Sequence, residues 1–263
     1  INPKATYTRH SQGWVDEVYD NLTVLVERVK QAVANKEAVS IAYQGNIVDL
    51  WEAFYKEKIK VDLGSDQTSL HNPFAGGYYP AGLSFEESNA LMSSNPELFK
   101  EKVYESLRKH VNIVNKHVAQ GTYFFDYGNA FLLESSRAGA EISDKEGKFI
   151  YPSYVQDIMG PMCFDYGFGP FRWVCTSANP KDLEITDLIA TEVLEKLLIE
   201  SSEDISLQMK DNIHWIKEAQ NNKMVVGSQA RILYADSIGR VEIARAFNNA
   251  IKEGRISAPI VIG

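Results

Sequence analysis

Cysteine is scarce in this 263-residue chain: only Cys163 and Cys175 are present. Two thiols cannot build a disulfide framework for a chain this long, so a reducing compartment is expected and the cytoplasm is the inferred location. Neither thiol has Cys or His neighbours at metal-ligand spacing, so both are expected to be buried and inert. There is no apolar run of membrane-spanning length and no signal-peptide pattern. Positive charge is also in deficit. A net charge of −8 argues against nucleic acid and anionic membranes as partners. The chain has no phosphate-loop pattern, no Gly-x-Gly-x-x-Gly, no nucleophile elbow and no zinc signature. No internal repeat or low-complexity tract is found.

Hydrophobic residues make up 44% of the chain and charged residues 24%, enough for one large or two ordinary globular domains. Val15, Val18, Leu22, Leu25, Val29 and Val33 recur at helical steps and predict an amphipathic helix over residues 13–35. Residues 39–43 predict a strand, 47–55 a helix and 60–63 a second strand. Strand, helix and strand, each strand followed by small polar residues, is the pattern of a parallel sheet with ligands at its strand ends.

Ser84 and Glu87 fit a capping box, and Asn95-Pro96 opens a long helix ended by Gly121. Residues 123–125 predict a strand, followed by a helix to about residue 138. The polar turn at residues 143–148 suggests a domain edge. Asn179-Pro180 starts a further helix to about residue 200, and another covers 207–220. Strand 230–234, helix 238–252 and strand 258–262 complete the chain. It begins without methionine and stops at a β-branched strand, so it is expected to be a piece of a longer protein.

Several polar groups at predicted strand ends are candidate ligands of a small molecule. Asn46 is either a left-handed turn residue or a polar finger at a strand end. The run Asp66 to His71 carries a carboxylate, an amide, two hydroxyls and an imidazole. It is either a binding loop or a solvated turn. Tyr78 and Tyr79 are an aromatic wall for a planar ring, or a lid on the core. Asp126 to Asn129 shares this ambiguity. His110 and His117 share a helix face at a spacing too wide for a metal pair and read as structural, so no metal site is assigned. Phe-Asp-Tyr-Gly occurs twice, at 125–128 and 164–167, in different surroundings. The densest motif is Tyr166-Gly167-Phe168-Gly169-Pro170-Phe171-Arg172-Trp173, running into a strand at 173–176. Arg172 at the head of an apolar run is costly without a partner. It is either a satisfied arginine in a buried turn or a group presented to an anionic ligand by a rigid turn.

Taken together, these motifs resemble the urocanase family. The resemblance is carried by Gln67-Thr68-Ser69 with His71, by Tyr78-Tyr79-Pro80-Ala81-Gly82, by Phe125 to Asn129, by Gly167 to Val174 and by Ser257 to Gly263. It implies an α/β fold. A parallel-sheet, Rossmann-like NAD domain would be present in part over residues 1–150, with an α/β segment of the core or substrate domain over 151–263. It implies tightly bound NAD+ acting as an electrophile, urocanate as substrate and a homodimer. Asn46, Ile47, Gln67, Thr68, Ser69, Leu70, His71, Tyr78, Tyr79 and Tyr127 match NAD-contacting positions of the family. Arg172 matches an active-site arginine, expected to hold the substrate carboxylate or an anionic part of the adduct.

There are also departures from the family. Its glycine-rich nucleotide loop should lie before Ile1 and its acidic Arg-Asp-His loop after Gly263. Leu233 stands where some members carry a reactive cysteine. The isolated chain is therefore expected to turn over poorly. Two alternatives stay open: another NAD-using enzyme of the same scaffold acting on a different planar acid, and a non-catalytic fragment.

Overall fold

The structure, a computed structural model, describes residues 3–66, 70–219 and 229–263. The chain divides into two units, Ile1–Ile158 and Met159–Gly263. The polar turn at 143–148 lies inside the first unit. There Asp144 accepts from the backbone of Glu146 and Lys148, and Ser143 bridges to Phe149.

The first unit runs α1 (Pro3–Ser11), β1 (Glu17–Tyr19), α2 (Leu22–Asn35), β2 (Ile41–Tyr43), α3 (Ile47–Lys56), β3 (Leu63–Asp66), α4 (Phe85–Ser94), α5 (Pro96–Ala119), β4 (Tyr123–Asp126) and α6 (Ala130–Arg137). The long helix predicted over 13–35 is corrected. Its first part is strand β1, which pairs in parallel with β2, Glu17 opposite Ile41 and Tyr19 opposite Tyr43. Helix begins only after Asn21, whose side chain caps it by accepting from the backbone N–H of Val24. The next strand also moves, from the predicted 60–63 to Leu63–Asp66. Its parallel partner is β4, with Leu63 opposite Tyr123 and Asp66 opposite Asp126.

Helix α5 organises the core of this unit. Phe99, Val103, Leu107, Val111 and Val114 are all buried on one stripe, against Trp51, Phe124 and Phe131. Its two histidines belong to the same packing. His117 Nε2 lies 2.9 Å from the carbonyl of Trp51, and His110 Nδ1 lies 3.2 Å from the Tyr78 hydroxyl. The helix ends follow local chemistry. Ser84 and Glu87 form the reciprocal capping box, and Asn95 caps α5 by accepting from Leu98, with Pro96 in its first turn.

The second unit runs α7 (Met159–Met162), β5 (Gly169–Cys175), α8 (Pro180–Leu198), α9 (Glu203–Glu218), β6 (Ala230–Ala235), α10 (Ser237–Lys252) and β7 (Ile260–Ile262). Its sheet is antiparallel in the order β6-β5-β7. Phe171, Trp173 and Cys175 alternate into a core shared with Leu194, Ile243 and Phe247. Trp173 is fully buried and donates its indole N–H to Thr186 at 3.0 Å. Asp182, buried, receives the hydroxyls of Ser177 and Ser257, each at 2.6 Å, and clasps the exit of β5 to the approach of β7. Among the described residues no helix is long and apolar enough to cross a membrane.

Candidate functional site

In the first unit the polar groups gather where the parallel strands end. The ladder of β3 and β4 carries one bond beyond its last pair: the N–H of Tyr127 donates to the carbonyl of Asp66 at 2.9 Å. Asp126 is fully buried and governs the turn that follows. Its carboxylate accepts from the backbone of Gly128 at 3.2 Å and of Leu132 at 3.0 Å, fixing the turn and the start of α6. Burial pushes the Asp126 carboxyl up, against the pull of those N–H groups and of nearby His71. Asn129 is left-handed (φ 64°), and its buried Oδ1 has no partner among the described residues. The ring of Tyr127 stacks on Tyr154, centroids 4.8 Å apart and planes 15° from parallel.

Asn46 resolves in favour of an extended backbone, with φ −84°, so the left-handed alternative is corrected. Its Oδ1 caps α3 by accepting from Val48 at 2.9 Å, while Nδ2 donates to the carbonyl of Tyr79, also at 2.9 Å. One amide thus ties the loop after β2 to the loop after β3. Gly45 precedes it because the Tyr43 ring folds over that position, where a Cβ would lie 2.1 Å from a ring atom. Ile47 opens α3 and is 40% exposed.

The two tyrosines part company. Tyr78 is a core residue against His110. Tyr79 lies over Phe85 and donates its hydroxyl to Asn89 at 3.1 Å. Leu70 is buried and His71 exposed. Gln67, Thr68 and Ser69 lie outside the described residues. The residue that motif reading passed over is Tyr154, the stacking partner of Tyr127, while His110, read as structural, is the support of Tyr78. Nothing local marks Tyr154. His110 is marked only as one of the helical positions facing the core.

Arg172 lies in the second unit, within β5. The strand starts at Gly169, earlier than the predicted 173, so the glycine-proline stretch is not a turn of its own. The Arg240 guanidinium lies 3.0 Å from where a Cβ on Gly169 would be, a tight approach by the tip of a flexible side chain. Alternation turns Arg172 away from Phe171 and Trp173 to the opposite, exposed face. The expectation of an arginine inside a buried turn is therefore corrected. Arg172 pairs through its backbone with Gly263, at 2.7 and 2.9 Å, and its guanidinium has no partner among the described residues. Arg231 on β6 is the counter-example. It faces the core, is buried, and reaches Asp187 at 2.8 Å. Burial lifts the Asp187 carboxyl to about 6, despite the opposing attraction of Arg231. Cys163 and Cys175 are free and buried, with thiols pushed up by burial, and Leu233 is buried.

These two units define a class: a Rossmann-like α/β domain with polar strand ends, followed by a second α/β domain on an antiparallel sheet. Residues 1–158 match the model of the urocanase Rossmann-like domain and residues 161–263 that of the urocanase C-terminal domain. The chain belongs to the urocanase family. Over its whole length it is 58% identical to a probable urocanate hydratase of Dictyostelium discoideum, 53% to the urocanate hydratase of Mus musculus and 52% to that of Homo sapiens. It spans about 40% of the length of these relatives. A Rossmann-like domain is the kind that takes a nucleotide cofactor at its strand ends.

Proposed function

We propose that this chain supplies part of the cofactor domain and part of the substrate domain of a urocanate hydratase. That enzyme would add water to urocanate to give 4-imidazolone-5-propanoate in histidine degradation. The observation that carries the reading is its match to both family domains, in order, along the whole chain. The cofactor would be NAD+, held at the strand ends of the first unit by Asn46, Ile47, Gln67, Thr68, Ser69, Leu70, His71, Tyr78, Tyr79 and Tyr127. The buried Oδ1 of Asn129, without a partner among the described residues, supports a ligand there, since such an acceptor is costly unless something donates to it. When bound, NAD+ would supply an electrophilic ring for the substrate imidazole, so no net hydride transfer is needed.

Arg172 would take the urocanate carboxylate. An exposed guanidinium with no acid paired to it among the described residues suits a bidentate, charge-assisted contact. Asp126 and Asn46 would hold the strand-end loops in place without reacting. Neither cysteine has the exposure or lowered pKa of a nucleophile, so none is given that role. Two free thiols fit a cytoplasmic enzyme, and a homodimer is the proposed assembly.

The test is a chimera in which this chain replaces the matching segment of the mouse urocanate hydratase. It is expected to consume urocanate, read as loss of its ultraviolet absorbance, without accumulating NADH. Arg172→Ala in that chimera is expected to lower kcat/KM at least about a hundredfold, the scale of a lost charge-assisted contact and its orientation, while NAD+ stays bound. Wild-type kinetics in the variant would remove Arg172 from the reaction. The 263-residue chain alone is expected to show little turnover.

A further inference from the structure

Helix α5 buries a stripe of hydrocarbon, yet two positions on that stripe are polar and reach the same loop. Ser106 and His110 stand one turn apart and are 2% and 1% exposed. Ser106 Oγ donates to the carbonyl of Lys102 at 2.8 Å, the usual back-bond of a serine within a helix. Its remaining lone pair accepts from the backbone N–H of Ala81, also at 2.8 Å. His110 Nδ1 lies 3.2 Å from the Tyr78 hydroxyl, with the two rings 26° from parallel. For packing alone a hydrophobe would be less costly at either position. His110 Nε2 has no partner among the described residues, a further cost that packing does not explain.

The loop that these residues reach has a left-handed glycine at each end. Gly76 has φ 86° and Gly82 φ 83°, the region that favours glycine. Between them the chain is held by side chains from three places. Asn46, the cap of α3, donates to the carbonyl of Tyr79, and Asn89 of α4 accepts the Tyr79 hydroxyl. The bonds from α5 fall on either side of Tyr79, at Tyr78 and at Ala81. The hydroxyl of Tyr78 is thus an anchor turned into the core, and Tyr79 is the half-buried member of the pair.

We propose that Ser106 and His110 are positioning residues for the cofactor loop. They fix residues 78–81 from behind before any nucleotide arrives, so that little ordering of the loop is left to oppose binding. Their effect falls on how long the cofactor stays and not on the chemical step. The inference rests on the reading of the first unit's strand ends as the NAD+ site and adds the residues that hold its tyrosine loop in place.

The experiment uses the chimera of this chain with the mouse urocanate hydratase. Release of bound NAD+ is followed as exchange against labelled NAD+, and kcat is measured at saturating NAD+. Ser106→Ala and His110→Leu are each expected to speed NAD+ release about threefold to tenfold, the scale of one lost hydrogen bond. Their kcat should stay within about twofold of the parent. His110→Asn places a polar atom at about the position of Nδ1 and should restore slow release to within about twofold. In the cofactor-free chimera, deuterium uptake of the peptide 76–84 should be about threefold faster or more in Ser106→Ala. Urea unfolding reports whether each variant is folded. Should His110→Leu not fold, Ser106→Ala, which lacks one oxygen, decides the outcome.

NAD+ bound by the parent and released at the parent rate from Ser106→Ala would overturn this inference alone. Release equally fast in His110→Asn and His110→Leu would overturn it too, because ring packing and not the hydrogen bond would then be at work. Unchanged deuterium uptake in Ser106→Ala would show that the loop is held by other means and would likewise overturn it. A parent chimera that holds no NAD+ would sink the cofactor reading and this inference together.

Discussion

The two units place their functional chemistry in opposite ways. In the first, short parallel strands lead into loops, and the polar candidates stand where those strands end. Asp66, Asp126 and Tyr127 follow directly from that geometry. In the second, the core face of an antiparallel sheet packs against helices, and a polar side chain stands in mid-strand on the other face, as Arg172 does. Where a polar residue is tolerated is set by strand direction before it is set by chemistry.

The sharpest way to break this comparison uses the two arginines of the second unit. Arg231→Ala strands Asp187 in the core and is expected to cost about 3–5 kcal/mol in a urea titration. Arg172→Ala, on the open face, should stay within about 0.5 kcal/mol of the parent. Equal losses would mean that the open face is not open.

A smaller effect separates the units by pH. Burial drops His110 to about 3 from 6.5, so its unfolded form binds the proton first. Its contribution to stability is complete above pH 6.5 and is lost as pH falls toward 3. Between pH 7 and pH 5 that loss is about 2 kcal/mol. Asp187 has the opposite sign. Its folded pKa of about 6 lies above the ordinary 3.8, so the stabilising protonated form is complete below 3.8 and is lost as pH rises through 6. The same acidification therefore returns about 1 kcal/mol to the second unit. Native-state hydrogen exchange at pH 7 and pH 5 is expected to show protection falling around α5 and rising around β5 and β6. His110→Gln and Asp187→Asn should each flatten the response of their own unit.

The smallest effect is at Asn46. Asn46→Ala removes a helix cap and the link to Tyr79, at about 1 kcal/mol in thermal or urea unfolding. A larger effect on NAD+ affinity than on stability would tie this amide to the cofactor.

What could be read from the sequence was what is decided within a few residues. Ser84 with Glu87, Asn95 with Pro96 and Asn179 with Pro180 marked helix starts because caps satisfy their own first turn. The misplaced elements were decided by distant partners. Glu17–Tyr19 continues a helical spacing of valines, yet it is a strand because Ile41–Tyr43 lies beside it. Gly169 and Pro170 read as turn residues but sit in β5. Proline is tolerated there because its missing N–H falls on the side away from β6, so the ladder with β6 loses no bond.

For the site, residue types and their place at strand ends could be read, and family resemblance supplied the proposed roles. The direction of Arg172 could not be read from an apolar run without knowing which face the helices cover. Asn46 as the tie to Tyr79, and Tyr154 as the cover of Tyr127, depend on contacts between loops far apart in sequence.

The clasp at Asp182 has a consequence for error correction. Ser257 meets Asp182 across a separation of 75 residues, a loop whose closure carries an entropic cost. Once it is closed, β7 has only one phase in which to dock. A slip by one residue would turn Val261 inward and expel Ile260 and Ile262 from the core side. Three hydrogen-bonding side chains outside the sheet thus act as a proofreading device for the strand that ends in Gly263.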